Sequence, residues 1–240
     1  MNLNEMITRR RSVRKYDQKP VNKEQLDQIM AFCQTAHPLY PDIKVKANLV
    51  SKEDVRFYLP WKAPHLLAVY SENKPGFLEN VGFIFQQVDL YIQSLGLGCC
   101  WMGLGKLRSP EDPPVGMEFV ILIAFGYPDN IPLRSGAQDF QRKSMSDISD
   151  LDDPRLEPAR LAPSSTNSQP WYFIHDGKAI HAYCNEQGIL RHKMLGTMNR
   201  IDMGIALAQM YVANADTFRF FHADSPVSMK GCRYTGSFEI

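Results

Sequence analysis

Apolar residues recur at helical spacing in several stretches of this 240-residue chain. The strongest stripe covers residues 81–95 and ends at Gly96, a residue that favours the C-cap of a helix. Residues 2–10 predict a short helix with one apolar face. Asn22 and Gln25 form a capping pair that predicts the start of a second helix.

Two continuous apolar runs have the length of buried strands. Residues 66–70 form the first run; residues 119–125 form the second, which ends at Gly126 and suits the centre of a sheet. Residues 171–175 and 178–184 flank an Asp-Gly pair, which predicts a β-hairpin. The pattern therefore mixes helices with strands in both halves of the chain.

The stretch between the halves has a different composition. Residues 127–160 are rich in Pro, Gly, Asp and Ser, which is typical of a link between two units. Beyond this link, a helical stripe over residues 201–212 and a final strand over residues 233–240 are predicted. Residues 37–45 indicate a loop in the first half.

Composition excludes several classes of protein. With 44% hydrophobic and 22% charged residues, the chain is typical of a folded protein, and its net charge of +1 gives no argument for a nucleic-acid partner. No apolar run approaches the roughly 20 residues that a membrane span needs, and no signal peptide is visible. Five cysteines without CxxC spacing indicate reduced thiols in the cytoplasm. The histidines lack metal-site spacing and the serines lack a GxSxG elbow, so we expect neither a metal site nor a hydrolase.

The first segment whose residues could bind a ligand is basic and covers residues 9–16, RRRSVRKY. Arg10, Ser12 and Arg14 are spaced two apart, so an extended backbone could aim all three the same way. Arginine suits phosphate because its planar guanidinium donates two hydrogen bonds at once. The alternative is a solvated basic end of a helix.

Two further segments have compositions typical of loops that bind ligands. Residues 96–103, GLGCCWMG, contain three glycines, which allow a backbone to approach a flat ring closely; the alternative is a helix C-cap and a tight turn. Residues 162–171, APSSTNSQPW, combine two stiffening prolines with short polar side chains; the alternative is a capped turn between a helix and a strand. The glycine segment matches neither a P-loop nor GxGxxG.

Taken together and in this order, the three segments resemble the motifs of the FMN-dependent nitroreductase family, in a subgroup of fused pseudo-dimers, over essentially the whole chain. In ordinary members the third motif follows the first within a few tens of residues, whereas about half the chain intervenes here. Residues 35–40 stand where the third motif belongs in the first half, and the second half lacks the other two motifs. The resemblance implies two fused, complementarily eroded copies, residues 1–145 and 146–240, intertwined as one unit. The implied fold class is α+β, a nitroreductase-like α/β/α sandwich with a central sheet flanked by helices.

The resemblance also implies an FMN site completed by both halves. Its implied residues are Arg10, Arg11, Ser12, Arg14, Trp101, Met102, Gly103, Leu104, Arg142, Lys143, Pro163, Ser164, Ser165 and Asn167. Arg10 and Ser12 are expected at the phosphate, Arg14 near ring atoms N1 and O2, and the backbone N–H groups of Gly103 and Leu104 at N5 and O4. The basic pair 142–143 is expected near the phosphate, and the third motif is expected to cover the flavin from the opposite half, while Gln169 and Trp171 fix the loop and fill the core.

The implied function is that of an FMN-dependent oxidoreductase. It would take a hydride from NAD(P)H and pass it to a nitroaromatic, a quinone or a similar electrophilic acceptor. Because flavin N5 carries the hydride, no catalytic protein residue is named. The alternative is a flavin-binding or degenerate protein without turnover, since half of the motifs are missing. We expect a monomer or an incidental homodimer.

Overall fold

The computed structural model describes residues 2–56, 62–108, 113–186 and 189–240, with no side chains for residues 189–195. The described helices are α1 (Leu3–Ile7), α2 (Lys23–Thr35), α3 (Phe77–Ser94), α4 (Glu157–Leu161) and α5 (Ile189–Ala213). The described strands are β1 (Val45–Val50), β2 (Val55–Arg56), β3 (His65–Ser71), β4 (Gly98–Met102), β5 (Lys106–Leu107), β6 (Glu118–Gly126), β7 (Trp171–Asp176), β8 (Ala179–Asn185), β9 (Arg219–Phe221) and β10 (Cys232–Glu239). The mixed helix and strand content expected from the sequence is confirmed.

The two halves repeat one order of elements. Apart from α1 and the β2–β5 ribbon, each half runs helix, two strands, long helix, two strands. Among the described residues, the first half forms a sheet of order β1-β3-β6-β4, and the second half forms a sheet of order β7-β8-β10-β9. All neighbouring strands in both sheets are antiparallel. The strands thus lie in two corresponding sheets, where the sequence analysis expects one central sheet.

Several local predictions are confirmed. The side chain of Asn22 accepts a hydrogen bond from the backbone N–H of Gln25 at 2.8 Å, which caps α2. Gly96 follows α3 with φ of 79°, and Gly177 turns the β7–β8 hairpin with φ of 60°. The apolar strand β6 lies inside its sheet, between β3 and β4. The short N-terminal helix is present but ends at Ile7.

The long helices α3 and α5 cross at two glycines. A Cβ atom built on Gly204 of α5 would lie 1.9 Å from the backbone oxygen of Glu79 in α3. A Cβ atom on Gly82 of α3 would lie 2.0 Å from the backbone oxygen of Ile201 in α5. Neither oxygen belongs to a flexible side chain, so the crossing requires glycine on both helices.

One apolar core connects the two halves. The largest buried cluster includes Leu67 and Ile123 from the first sheet, Phe173 and Phe238 from the second, and Ile205 from α5. Because these residues pack in one continuous cluster, the main core is shared by both halves, and a smaller cluster on the other face of the first sheet belongs to the first half alone. Within the described ranges, none of the helices has both the length and the apolar character that a membrane crossing requires.

The segment that the sequence analysis treats as a link is itself packed. Ile148 is fully buried in the common core. Its backbone oxygen accepts a hydrogen bond from the N–H of Phe173 at 2.8 Å, and Ser149 pairs with Phe173 as a short parallel bridge. Residues 148–150 therefore extend the edge of the second sheet, which a composition rich in turn residues does not reveal.

We expect Gly204→Ala to destabilise the fold by about 3 kcal/mol, the upper end of what overpacking usually costs, because the added methyl group meets backbone. Gly105→Ala is the control, since the nearest atom there is the flexible side chain of Leu122. Urea titration of both variants provides the measurement. Equal, small losses of stability would show that the helix crossing is looser than described.

Candidate functional site

The first two motifs form neighbouring extended segments. Ser12 pairs with Cys99 in a parallel bridge along the free edge of β4. The backbone N–H of Val13 donates to the oxygen of Cys99 at 2.9 Å. The glycine-rich segment, expected to be a loop, is thus strand β4 from Gly98 to Met102, with the turn following at Gly103 and Leu104. Pairing between the two motifs fixes the direction of the basic segment.

Arg10 lies deeper than the sequence suggests. Its side chain is only 1% exposed, and its Nε donates to the carboxylate of Asp89 at 2.8 Å. Its Nη2 donates to the hydroxyl of Ser12 at 3.2 Å, so Arg10 and Ser12 face the same side as expected. The side-chain amides of Gln86 and Gln93 also donate to Asp89. Arg14, by contrast, is exposed, so the three side chains do not form one flat row.

The basic pair 142–143 contacts the third motif directly. Arg142 donates from Nη1 to the side-chain oxygen of Asn167 at 2.9 Å and from Nη2 to the backbone oxygen of Leu161 at 3.1 Å. Lys143 donates from its backbone N–H to the side-chain oxygen of Gln169 at 2.8 Å, and from Nζ to the backbone oxygen of the same residue at 2.9 Å. Gln169 therefore fixes the loop, as expected.

Several guanidinium groups crowd together at this point. Burial, together with the charges of Arg10, Arg134 and Arg160, lowers the pKa of Arg142 to about 10. Burial, with the charges of Arg10 and Arg11, lowers the pKa of Arg134 to about 10. Like charges in a partly buried region repel one another, so the cluster favours an anion.

Arg134 is a member of this cluster that sequence analysis does not identify. Its guanidinium donates to the backbone oxygen of Arg10 and lies 4.1 Å from the centre of the Phe140 ring. Arg134 lies in the stretch assigned to the link, where no motif marks it. Only the fold, which brings residues 133–142 against α1, reveals its position.

The residues present fit a doubly charged anion such as a terminal phosphate. The Nε atom of Arg142 is buried and has no hydrogen-bond partner within the described part of the chain. The nearby carboxylates are already engaged, because Asp89 binds Arg10, Glu157 binds Arg160, and exposed Asp139 accepts two hydrogen bonds from Ser135. A phosphate supplies several strong acceptors and the missing negative charge.

Helix α5 connects the second and third motifs. A Cβ atom on Gly103 would lie 2.7 Å from the sulfur of Met198, so the turn after β4 lies against α5. Four residues further along α5, both carboxyl oxygens of Asp202 lie 3.1 Å from the backbone N–H of Ser165. All three motifs are therefore brought together, across the two halves of one chain.

The third motif has an unusual backbone. Among the described non-glycine residues, positive φ angles occur at Asn130 and at three positions of this loop, Thr166 (52°), Asn167 (57°) and Gln169 (46°). The left-handed region costs roughly 1–2 kcal/mol for most residues, and most for a β-branched one such as Thr. The surrounding hydrogen bonds must hold this strain, and strained loops occur often at binding sites.

The other residues expected at the flavin site differ in their burial. Trp101 is half-buried, and its Nε1 has no hydrogen-bond partner among the described residues. Met102 packs into the apolar cluster on the other face of the first sheet, so its side chain is engaged in the core. Leu104 is 63% exposed. Pro163 is buried and Ser164 is half-buried. The assignment of these residues to a flavin stays a prediction, whereas Trp171 is buried in the core, as expected.

Nucleophilic chemistry is poorly supported. His181 lies 2.6 Å from the hydroxyl of Ser237 and 3.5 Å from Asp176, but Ser237 is fully buried and its hydroxyl also contacts Tyr234. Burial raises the pKa of the Cys100 thiol to about 11, which suppresses its thiolate. No group of three or more His, Cys, Asp or Glu residues in the described ranges is arranged to hold a metal ion.

Comparison with known proteins identifies the family. The model of the family described as "Putative TM nitroreductase" matches residues 2–214, and the chain belongs to this family. A solved structure from Thermotoga maritima MSB8, titled a putative nitroreductase, matches with a TM-score of 0.66 and 20% identity over 99% of this chain and 92% of that one. A nitroreductase family protein from Clostridium difficile 630 matches with a TM-score of 0.51 and 18% identity over 64% of this chain and 99% of its own. The nitroreductase-like α+β fold is thereby confirmed. No curated protein matches the sequence.

The third-motif loop has a counterpart in the first half. Asn80 precedes Gly82 by two residues, as Asp202 precedes Gly204, and the side-chain oxygen of Asn80 accepts from the backbone N–H groups of Leu39 and Tyr40 at 2.9 Å. A neutral amide thus holds the loop in one half and a carboxyl group holds it in the other. Burial raises the pKa of Asp202 to about 8 from its ordinary value of 3.8.

We expect Asp202 to make the protein less stable as pH rises. Between about pH 4 and pH 8 the folded chain keeps a proton that the unfolded chain has lost, so the free energy of unfolding falls by up to about 1.4 kcal/mol per pH unit. Asp202→Asn should remove this slope, and Asp152→Asn, an exposed control, should retain it. Urea titrations from pH 5 to pH 9 measure the slopes. Identical slopes in all three proteins would contradict the assignment.

Proposed function

We propose that the chain is an FMN-dependent oxidoreductase that uses NAD(P)H and an electrophilic acceptor. The observation that carries this proposal is the guanidinium cluster around Arg10, Arg134 and Arg142, which lies where all three motifs meet. A cluster of this charge, with an unpartnered buried donor on Arg142, suits the phosphate end of FMN. Membership of a nitroreductase family supports the same function.

The chain's own residues would bind and orient the cofactor. Arg142 and Arg134 would hold the phosphate, together with Ser12, whose hydroxyl contacts buried Arg10. We propose that exposed Arg14 lies near the ring atoms N1 and O2, where a cation favours the reduced cofactor. Gly103 and Leu104 would offer their backbone N–H groups from the turn after β4.

The bound flavin would supply the hydride transfer, from the nicotinamide to a nitroaromatic, a quinone or a similar acceptor. The chain itself has little acid or base chemistry to offer there, because burial raises the pKa values of Tyr16 and Cys99 well above their ordinary range. Leu104 is 63% exposed, which leaves the turn beside the proposed ring position open to a substrate. The protein's role would therefore be to position reactants and to stabilise charge.

We also propose that the two halves form a pseudo-dimer with one complete site. The repeated order of elements, the paired glycines of the helix crossing and the matching roles of Asn80 and Asp202 support this proposal. Tyr211 follows Gly204 at the same distance along the chain as Asp89 follows Gly82, so it occupies the corresponding position in the second half. Its ring stacks on His37 with the ring centres 4.9 Å apart. An aromatic pair there would replace the ion pair of the first half and leave no anion site.

We expect Arg142→Gln to weaken FMN binding by roughly ten- to a hundredfold, because one charge-assisted hydrogen bond to phosphate is lost. Binding of riboflavin, which lacks the phosphate, should change little. Arg155→Gln is the matched control, since Arg155 pairs with Asp153 outside the cluster. Fluorescence titration of the unmodified apoprotein and of both variants gives the affinities for FMN and for riboflavin. Equal losses for FMN and riboflavin would indicate loop damage and would contradict the phosphate role.

Arg10 is a poor choice for the same experiment. Its partner Asp89 is fully buried, so Arg10→Ala would leave an unpaired buried carboxylate and destabilise the fold by about 3–5 kcal/mol. A loss of flavin in that variant would not distinguish binding from folding. Arg142 has no buried carboxylate partner among the described contacts, which makes the substitution cleaner.

The enzymatic proposal is tested by anaerobic addition of NADH or NADPH to the FMN-loaded protein. We expect bleaching of the flavin absorbance, and its return when a quinone or a nitroaromatic compound is added. A protein that binds FMN tightly but is not bleached by either nucleotide would support the non-catalytic alternative. A protein that binds no FMN would overturn the proposed function entirely.

A further inference from the structure

A cavity of about 190 Å³ lies beside the basic segment, apart from the meeting point of the three motifs. Arg11 and Val13 line it, whereas Arg10 and Ser12 contact each other, as alternation along an extended backbone requires. No residue of the turn after β4, of the pair 142–143 or of the third motif lines this cavity. Gly96, Leu97 and Gly98, at the start of the glycine-rich segment, do line the cavity. The cavity thus lies at the other end of that segment from Gly103 and Leu104, and it adjoins the proposed flavin site along residues 11–13.

The polar side of the cavity is cationic. Arg11 lines the cavity, and its Nε is buried with no hydrogen-bond partner within the described residues. Gln93 also lines it, but its side-chain oxygen already accepts the backbone N–H of Arg11 at 2.8 Å. The cavity thus contains a charged donor and lacks a free side-chain acceptor for it. An unpaired buried donor of this kind is costly, which favours a ligand with an acceptor oxygen.

The C-terminal end of α3 disfavours an anion in this cavity, but its effect is smaller than that of Arg11. The C-terminus of a helix is equivalent to roughly half a negative charge, whereas Arg11 carries a full positive charge. The charge of Arg11 also contributes to lowering the pKa of Arg134, while the exposed carboxylate of Asp139 opposes that shift in part. Asp139 does not line the cavity, so Arg11 is the charged side chain of its lining. The balance of charge in the cavity therefore favours a monoanion.

The other side of the cavity is apolar and stiff. Pro128, Ile131, Pro132 and Leu133 form this wall, and the prolines restrict its backbone. A dry cavity of about 150 Å³ holds a benzene molecule, so the volume here suits one six-membered ring with a small substituent. Inorganic phosphate would leave the apolar wall unfilled and would find one guanidinium group where it needs several donors.

We propose that this cavity binds a small organic monocarboxylate, with its carboxylate on Arg11 and its apolar part against the wall formed by residues 128–133. The inference goes beyond the flavin-dependent function and does not rest on it. Such a ligand would contact the segment that carries Arg10 and Ser12 from its other side.

Calorimetric titration with cyclohexanecarboxylate tests the proposal, using the purified protein with its flavin content measured. This aliphatic acid is chosen because it cannot stack on a flavin ring. We expect saturable binding of one molecule per chain, and binding at least tenfold weaker for the uncharged cyclohexanecarboxamide. Arg11→Gln should weaken binding of the acid roughly ten- to a hundredfold. Ile131→Trp, which fills the cavity, should abolish it, and Lys15→Gln, an exposed charge control on the same segment, should not change it.

Three results would overturn the proposal. The first is an absence of saturable binding to the folded protein, which would indicate that water alone fills the cavity. The second is equal affinity in the Arg11→Gln, Ile131→Trp and Lys15→Gln variants. The third is displacement of bound FMN by the acid, which would place the probe in the cofactor site. A chain that binds no flavin would still give a readable titration, so failure of the proposed function is distinguishable.

Discussion

The crossing of α3 and α5 is the constraint on which the rest of the structure depends. Backbone meets backbone at Gly82 and Gly204, where a single added carbon would lie within about 2 Å of a carbonyl oxygen. This contact sets the distance between the two sheets and encloses the common core. It also aligns Asp89 on α3 with Arg10, and Asp202 on α5 with Ser165. The candidate site is thus a consequence of how closely two helices pack.

The charges at the candidate site determine that it favours an anion. Asp89 neutralises Arg10, the most deeply buried cation, and leaves Arg134 and Arg142 without equivalent carboxylates. The cluster is therefore stable enough to form and still short of negative charge. Positive charge that is already in place and not fully neutralised favours an anion, because the protein does not need to rearrange to bind it. Asp202 avoids a buried charge in a different way, since burial raises its pKa to about 8 and favours its neutral form. It accepts hydrogen bonds from the loop of the third motif, as Asn80 does from the corresponding loop of the first half.

Sequence reasoning was most reliable where local chemistry decides the outcome. The cap at Asn22, the hairpin turn at Gly177 and the buried strand before Gly126 follow from short-range rules and are confirmed. It was least reliable where contacts between distant segments decide. Nothing local indicates that GLGCCW continues as an edge strand paired with the basic segment, that Arg10 is buried against Asp89, or that Arg134 joins the cluster. The three motifs were identified from their order along the chain, whereas their mutual contacts come from the fold.

The central claim of this account is that one chain completes one flavin site between its own halves. Light scattering with simultaneous flavin absorbance, on FMN-loaded protein through serial dilution, tests it most directly. The account predicts a flavin-to-chain ratio near one that stays constant while the particle has the mass of a single chain. A ratio near two, or flavin lost in step with dissociation of a dimer, would contradict it, because either result requires a site that one chain does not complete alone.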